Sequence, residues 1–235
     1  MGRYDSLSDA TLSPTAGAER VTTFLRAVYG WMAVGLAITA AVASYVAGTD
    51  WATTIATNRW LLFGLLIVQL GVVVTLSAGA SRLAPGTATL LFLGYSALTG
   101  VTLSFILLVY TGQSIATTFV VTAGMFGALA LFGTTTSRSL AGWGQFLFMG
   151  LIGVVLASVL GLFWHSNALQ FLISFAGVIV FTGLTAYDAQ RLKALALAVP
   201  EGQAGSYAIA GALSLYLNFV NLFLILLRFS GGRRD

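Results

Sequence analysis

Five stretches of this chain carry no charged side chain at all: Ala27–Thr49, Trp60–Ser81, Leu83–Ser137, Ser139–Tyr187 and Gly202–Leu227. A helix that crosses a bilayer needs roughly 20 consecutive, mostly apolar residues at about 1.5 Å each. The first, second and last stretches each fit one such helix, and the two long ones each fit two helices and a turn. Residues that punctuate helices mark those turns, Thr111-Gly112-Gln113-Ser114 in one and His165-Ser166-Asn167 in the other. The expected spans are therefore seven, near Val28–Gly48, Leu61–Ser81, Thr87–Tyr110, Ile115–Phe132, Phe146–Trp164, Leu169–Asp188 and Tyr207–Arg228. Apolar residues are 58% and charged residues 8% of the 235, where a soluble domain carries about 25% charged residues. A soluble globule is excluded. The apolar runs are continuous instead of alternating, which argues against an outer-membrane barrel. The expected fold class is an all-α membrane protein, a bundle of seven transmembrane helices.

Arg and Lys set the orientation, because cytoplasmic loops carry an excess of them. With the N-terminus inside, the cytoplasmic segments hold Arg3, Arg20, Arg26, Arg82, Arg138, Arg191 and Lys193, and the outer loops hold Arg59. Arg228, Arg233 and Arg234 dissent, since seven spans put them outside; a re-entrant last segment would bring them back. The length of Tyr207–Leu227 favours a full crossing. Residues 1–26 read as a flexible cytoplasmic tail, 27–229 as the membrane domain and 230–235 as a short basic tail. The first apolar stretch starts too late and runs too long for a signal peptide. Aromatic residues such as Trp51, Trp60, Trp143 and Trp164 sit where interface anchors belong. Small-residue pairs, Ala123 with Gly127 and Gly150 with Gly153, suit close helix packing. No internal repeat is visible in the sequence. The net charge of +4 is spread over membrane flanks, so no nucleic-acid partner is expected.

The inventory argues against an enzyme, with no catalytic residue expected. Cysteine is absent, and the one histidine, His165, lies in a predicted outer turn. An intramembrane aspartyl protease needs two membrane carboxylates, and only Asp188 is near a span. The sole lysine, Lys193, lies in a predicted loop and cannot carry a Schiff base in the bilayer.

Two polar features remain in the membrane. Asp188 is expected to close the sixth span, where a carboxylate opposes the helix macrodipole and costs a few kcal/mol unless paired or hydrated. It reads either as a helix end satisfied by Arg191 or as an ion or proton site at a cytoplasmic mouth. On the last helix, Gly211, Ser214, Asn218, Asn221 and Arg228 share one face at three- and four-residue spacing, with Ile225 filling the gap. In lipid, Asn218 and Asn221 must face protein or a wet cavity. That stripe serves either interhelical hydrogen bonding or conduction.

The stretches Gly183–Lys193 and Ala212–Leu224 resemble the two signature stretches of the Bax inhibitor-1 family. Tyr29–Met32, Tyr95–Gly100 and Phe119–Gly127 are also similar to its bacterial members, so the resemblance covers nearly everything after Arg20. It implies a last helix held centrally among six others, a pH-sensitive calcium leak, and residence in the bacterial cytoplasmic membrane. It further implies an aspartate pair sharing a proton between the sixth and seventh helices, with an arginine of the second helix able to pair with the first aspartate. Asp188 matches the first aspartate. The second position is Asn218 here, so the carboxylate pair is broken. Two carboxylates in contact cannot readily both ionise, whereas Asn does not titrate, so weakened or shifted pH gating and poorer calcium coordination are expected. Arg82 ends the predicted second span and is the candidate partner of Asp188.

Three function classes follow: a calcium-permeable leak channel or cation exchanger, a regulator of membrane proteases or cell-death machinery, and a secondary transporter of another small solute. The expected site residues are Asp188, Asn218 and Arg82, supported by Ser214 and Asn221. No cofactor is expected; calcium enters as a permeant ion with Asp188 as a candidate ligand. The expected partners are the lipid bilayer, calcium or other cations, and membrane proteins such as a protease.

Overall fold

A computed structural model of the chain describes residues 14–164 and 166–232. The helices are α1 (Pro14–Ala47), α2 (Asp50–Thr57), α3 (Arg59–Gly79), α4 (Pro85–Leu103), α5 (Ile106–Val109), α6 (Gly112–Thr135), α7 (Ala141–Phe163), α8 (Asn167–Ala198) and α9 (Ala204–Ser230). Seven segments are long and apolar enough to cross a membrane: α1, α3, α4 continued through α5, α6, α7, α8 and α9. No strand occurs among the described residues. The seven expected spans are all present. His165 and the basic Arg233 and Arg234 lie outside the described residues.

Helix starts follow local chemistry. The Asn58 side chain accepts hydrogen bonds from the backbone N–H groups of Trp60 and Leu61 at 3.1 and 3.2 Å, capping α3. Thr111 Oγ1 accepts from the Ser114 N–H at the start of α6, and Ser166 Oγ from the Leu169 N–H at the start of α8. These caps satisfy donors that the first helical turn leaves unpaired. Trp51, Trp60, Trp143 and Trp164 are exposed near helix ends, as interface anchors require.

Two boundaries differ from expectation. Residues 14–26, expected in the flexible tail, are the first turns of α1, whose Phe24 is buried against the core; the expected tail at residues 1–13 lies outside the described residues. Helix α8 does not end at Asp188 but continues ten residues to Ala198. Its buried face runs on through Ala189, Leu192 and Ala196 at helical spacing, while Arg191 and Lys193 are exposed to either side of it. The charges therefore mark the helix leaving the bilayer, not stopping.

Helix α9 is the axis of the bundle. Buried side chains face every direction around it, among them Leu213, Leu215, Tyr216, Asn218 and Leu222. It packs against α1, α4, α6 and α8. The outer helices form two arcs of three. In one, α4 lies between α1 and α3; in the other, α8 lies between α6 and α7. Each arc thus has the order first, third, second span, and because each contains three crossings the two arcs run with opposite polarity. This is the inverted-repeat pattern that one sequence does not reveal. Neither α3 with α7 nor α1 with α6 packs closely, which leaves two gaps, and the arcs meet directly where α1 packs on α8.

The last helix crosses fully. Thr111 N–H donates to the Gly232 carbonyl and Gly232 N–H donates to Ser114 Oγ, so the end of α9 lies beside the turn between the third and fourth spans. The opposite end of the bundle carries Arg82, Arg138, Arg191 and Lys193 and is termed the basic face.

Tight backbone contact holds the arcs where no hydrophobic effect draws helices together. At Gly133 of α6, a Cβ would collide with the Ala186 carbonyl of α8. Gly133→Ala should lower the unfolding free energy by about 1–3 kcal/mol, read as a fall in Tm of the detergent-solubilised protein. An unchanged Tm would mean that α6 and α8 tolerate separation. Gly127, expected to serve the same purpose, does not: a Cβ there meets nothing within 4 Å.

Candidate functional site

The gap between α3 and α7 contains a cavity of about 840 Å³, walled by α3, α7, α8 and α9 with Tyr95 of α4. It extends from the basic face, where Ala80, Gly144, Leu195 and Tyr207 line it, as far as Leu66, Val155 and Asn221. From Tyr207 to Asn221 along α9 is about 21 Å, most of a bilayer core.

The polar stripe of α9 lies in this cavity. Gly211, Ser214, Asn218 and Asn221 all line it, and so does Asp188 from α8. Ile225, the apolar member of the stripe, leaves the lining and packs on Gly177 of α8. Arg228 is exposed beyond it. Asn218 Nδ2 donates to Asp188 Oδ2 at 2.8 Å, joining the two helices at a point where Asp188 is 9% and Asn218 5% exposed. Asn221, also in the lining, instead donates back to the Leu217 carbonyl of its own helix at 2.8 Å. Because α8 continues to Ala198, Asp188 lies about 15 Å from the helix end. The macrodipole, which acts within the last turn, does not oppose it there.

Arg82 is not brought to Asp188. It sits exposed in the turn after α3, outside the cavity lining, and makes no ion pair among the described residues. The cation at the cavity mouth is Arg191, one turn beyond Asp188 on the same helix face. Residues not singled out from the sequence also line the cavity: Gln69 and Ser77 of α3, Tyr95 of α4 and Gln145 of α7. Gln69 is buried and donates to Thr102 Oγ1 at 2.6 Å. The signal for it was present, since Gln69 is the one amide in the run Trp60–Ser81. The wall behind Tyr95 is sealed by Phe92 and Tyr216, whose rings meet edge to face, and Tyr216 Oη lies 2.7 Å from Thr39 Oγ1.

The chemistry gathered in the cavity is one buried carboxylate held by an asparagine of the central helix, with amide and hydroxyl groups around it. Among the described residues no three His, Asp or Glu side chains gather into a metal cage.

The family model described as Inhibitor of apoptosis-promoting Bax1 matches residues 21–235. The chain belongs to the Bax inhibitor-1 family. Among its relatives is the Escherichia coli K12 protein named Inner membrane protein YbhL, 52% identical over 97% of both chains. An uncharacterised protein of Deinococcus radiodurans is 40% identical over 97% of this chain and 98% of its own, and one of Borreliella burgdorferi is 42% identical over 90% and 93%. The family match takes in both signature stretches, Gly183–Lys193 on α8 and Ala212–Leu224 on α9, and these carry the two partners of the Asp188–Asn218 hydrogen bond.

Proposed function

We propose that this Bax inhibitor-1 protein is a calcium-permeable leak pathway of a bacterial inner membrane, without enzymatic activity or a resident cofactor. The observation that carries this reading is the cavity that holds the buried Asp188, bonded to Asn218 and extending to the basic face. A carboxylate at that depth costs several kcal/mol unless it is paired or hydrated, and a wet cavity supplies the hydration. A full calcium site takes six to eight oxygens with substantial negative charge. Asp188 with the oxygens of Asn221, Ser214 and Gln69 offers fewer, which suits an ion that passes over one that stays. The name of the Escherichia coli relative favours the inner membrane.

The test is calcium flux into liposomes containing purified protein. Wild type should conduct, and Asp188→Asn should lower flux several-fold while leaving expression and Tm intact. Flux equal in both proteins would reject Asp188 as part of the pathway. No flux in wild type at either polarity, with folded protein, would reject conduction and leave the stripe as interhelical glue, the reading that goes with a regulator of membrane proteases.

A further inference from the structure

The second gap between the arcs has a different character. Helices α1 and α6 both pack on α9 but not on each other, and between them lies an apolar groove of about 480 Å³ with Phe219 of α9 as its floor. Leu25, Met32 and Leu36 form one wall, and Phe119 and Leu131 the other. Ala123 and Gly127, small where a larger side chain would fill the space, keep it open. From Leu25 to Leu36 along α1 is about 17 Å, close to half of a bilayer core of about 30 Å. Along α6 the lining runs from Phe119 to Thr134, about 22 Å, so the groove extends from the basic face into the depth of the bilayer core.

Its mouth carries two cations, with Glu19 about 10 Å further along α1. Thr134 lines the groove near the end of α6, and Lys193 of α8 reaches over to donate to the Thr134 carbonyl at 2.7 Å. An ammonium has three donors, so two of them remain for another acceptor. Arg26 lies on α1 one heptad from the lining residue Ala33, on the same stripe, and is exposed. Neither cation makes an ion pair among the described residues. An apolar slot of this length under two cations complements an amphiphile with an acyl chain and an anionic head.

We propose that the α1–α6 groove binds an anionic phospholipid of the leaflet at the basic face, one acyl chain lying on Phe219 and the headgroup phosphate between Arg26 and Lys193. The experiment uses the full chain, delipidated in mild detergent and incubated with equimolar phosphatidylglycerol and phosphatidylcholine; retained lipid is counted by native mass spectrometry. Wild type should retain phosphatidylglycerol preferentially. Arg26→Gln with Lys193→Gln should cut that preference about thirtyfold, and Arg26→Gln alone about fivefold, since each cation near a lipid surface contributes about 1 kcal/mol. Gln at 193 keeps a donor for Thr134, and if the double variant does not fold, the Arg26→Gln result decides. Gly127→Leu, which projects into the groove, should retain little of either lipid. Arg82→Gln, a basic-face cation away from the groove, should behave as wild type. Equal retention of both lipids by wild type, full preference in the charge variants, an equal loss in Arg82→Gln, unchanged retention in Gly127→Leu, or displacement of the lipid by inorganic phosphate would each overturn the site.

Discussion

Exchange of Ile225 for serine is expected to raise calcium flux through the reconstituted protein about tenfold. The cavity that begins at the basic face ends near Asn221, and the next turns of α9 are closed by apolar side chains. Leu222 and Ile225 pack there with Val180, Phe181 and Leu184 of α8 and Leu147 of α7. One layer further, Leu227 meets Ile106 and Tyr110. An apolar constriction stops ions by excluding water, because a bare charge costs several kcal/mol to desolvate. Ile225 is 8% exposed and fills the space left by the missing side chain of Gly177. Serine would vacate that space and offer a hydroxyl to water, and lowering the barrier by about 1.4 kcal/mol suffices for tenfold. Ile225→Val should leave flux near wild type. Flux in Ile225→Ser equal to wild type would mean that the seal lies elsewhere.

Asn218→Asp should change how the flux depends on pH. The Asn218 amide lies 2.8 Å from Asp188 Oδ2, so an aspartate there would place two carboxylates in contact. Such a pair keeps one proton in common and titrates as a unit. When the proton is held, the pair carries one negative charge, the same as Asp188 with Asn218, and flux should match wild type. When it is released the pair carries two, and calcium binding should strengthen by tenfold or thereabouts, on the order of 1.4 kcal/mol for a second hard oxygen charge. The measurement is calcium flux, with competition by magnesium, across pH for both proteins. Superimposable pH profiles would reject Asp188 and Asn218 as one ion-binding unit.

The crossings were legible because charge is so scarce that its gaps measure helix lengths directly. The stripe Ser214, Asn218, Asn221 was legible for a related reason, since polar residues at helical spacing in an apolar helix must face something polar. What was misread depended on distant neighbours. Asp188, Arg191 and Lys193 in quick succession look like a helix end, yet the apolar period through Leu192 and Ala196 carries α8 onward. Arg82 follows its span closely enough to suggest a latch, but the turn after Gly79 directs it outward. Ala123 and Gly127 look like a packing pair, and whether small residues invite a helix or leave a groove is decided by where the neighbouring arc ends. Gln69 could have been read as a site residue from its isolation alone. The matching order of the two arcs left no trace, because packing order survives after sequence similarity between repeats has gone.

The ten residues of α8 beyond Asp188 make that helix an axle shared by both chambers. Arg191 stands at the mouth of the polar cavity and Lys193 at the mouth of the apolar groove, two positions apart and so about 200° around one rigid rod. A rotation of this rod that displaced Arg191 from the cavity would carry Lys193 off the Thr134 carbonyl with it. Whatever grips one side of the axle brakes the other.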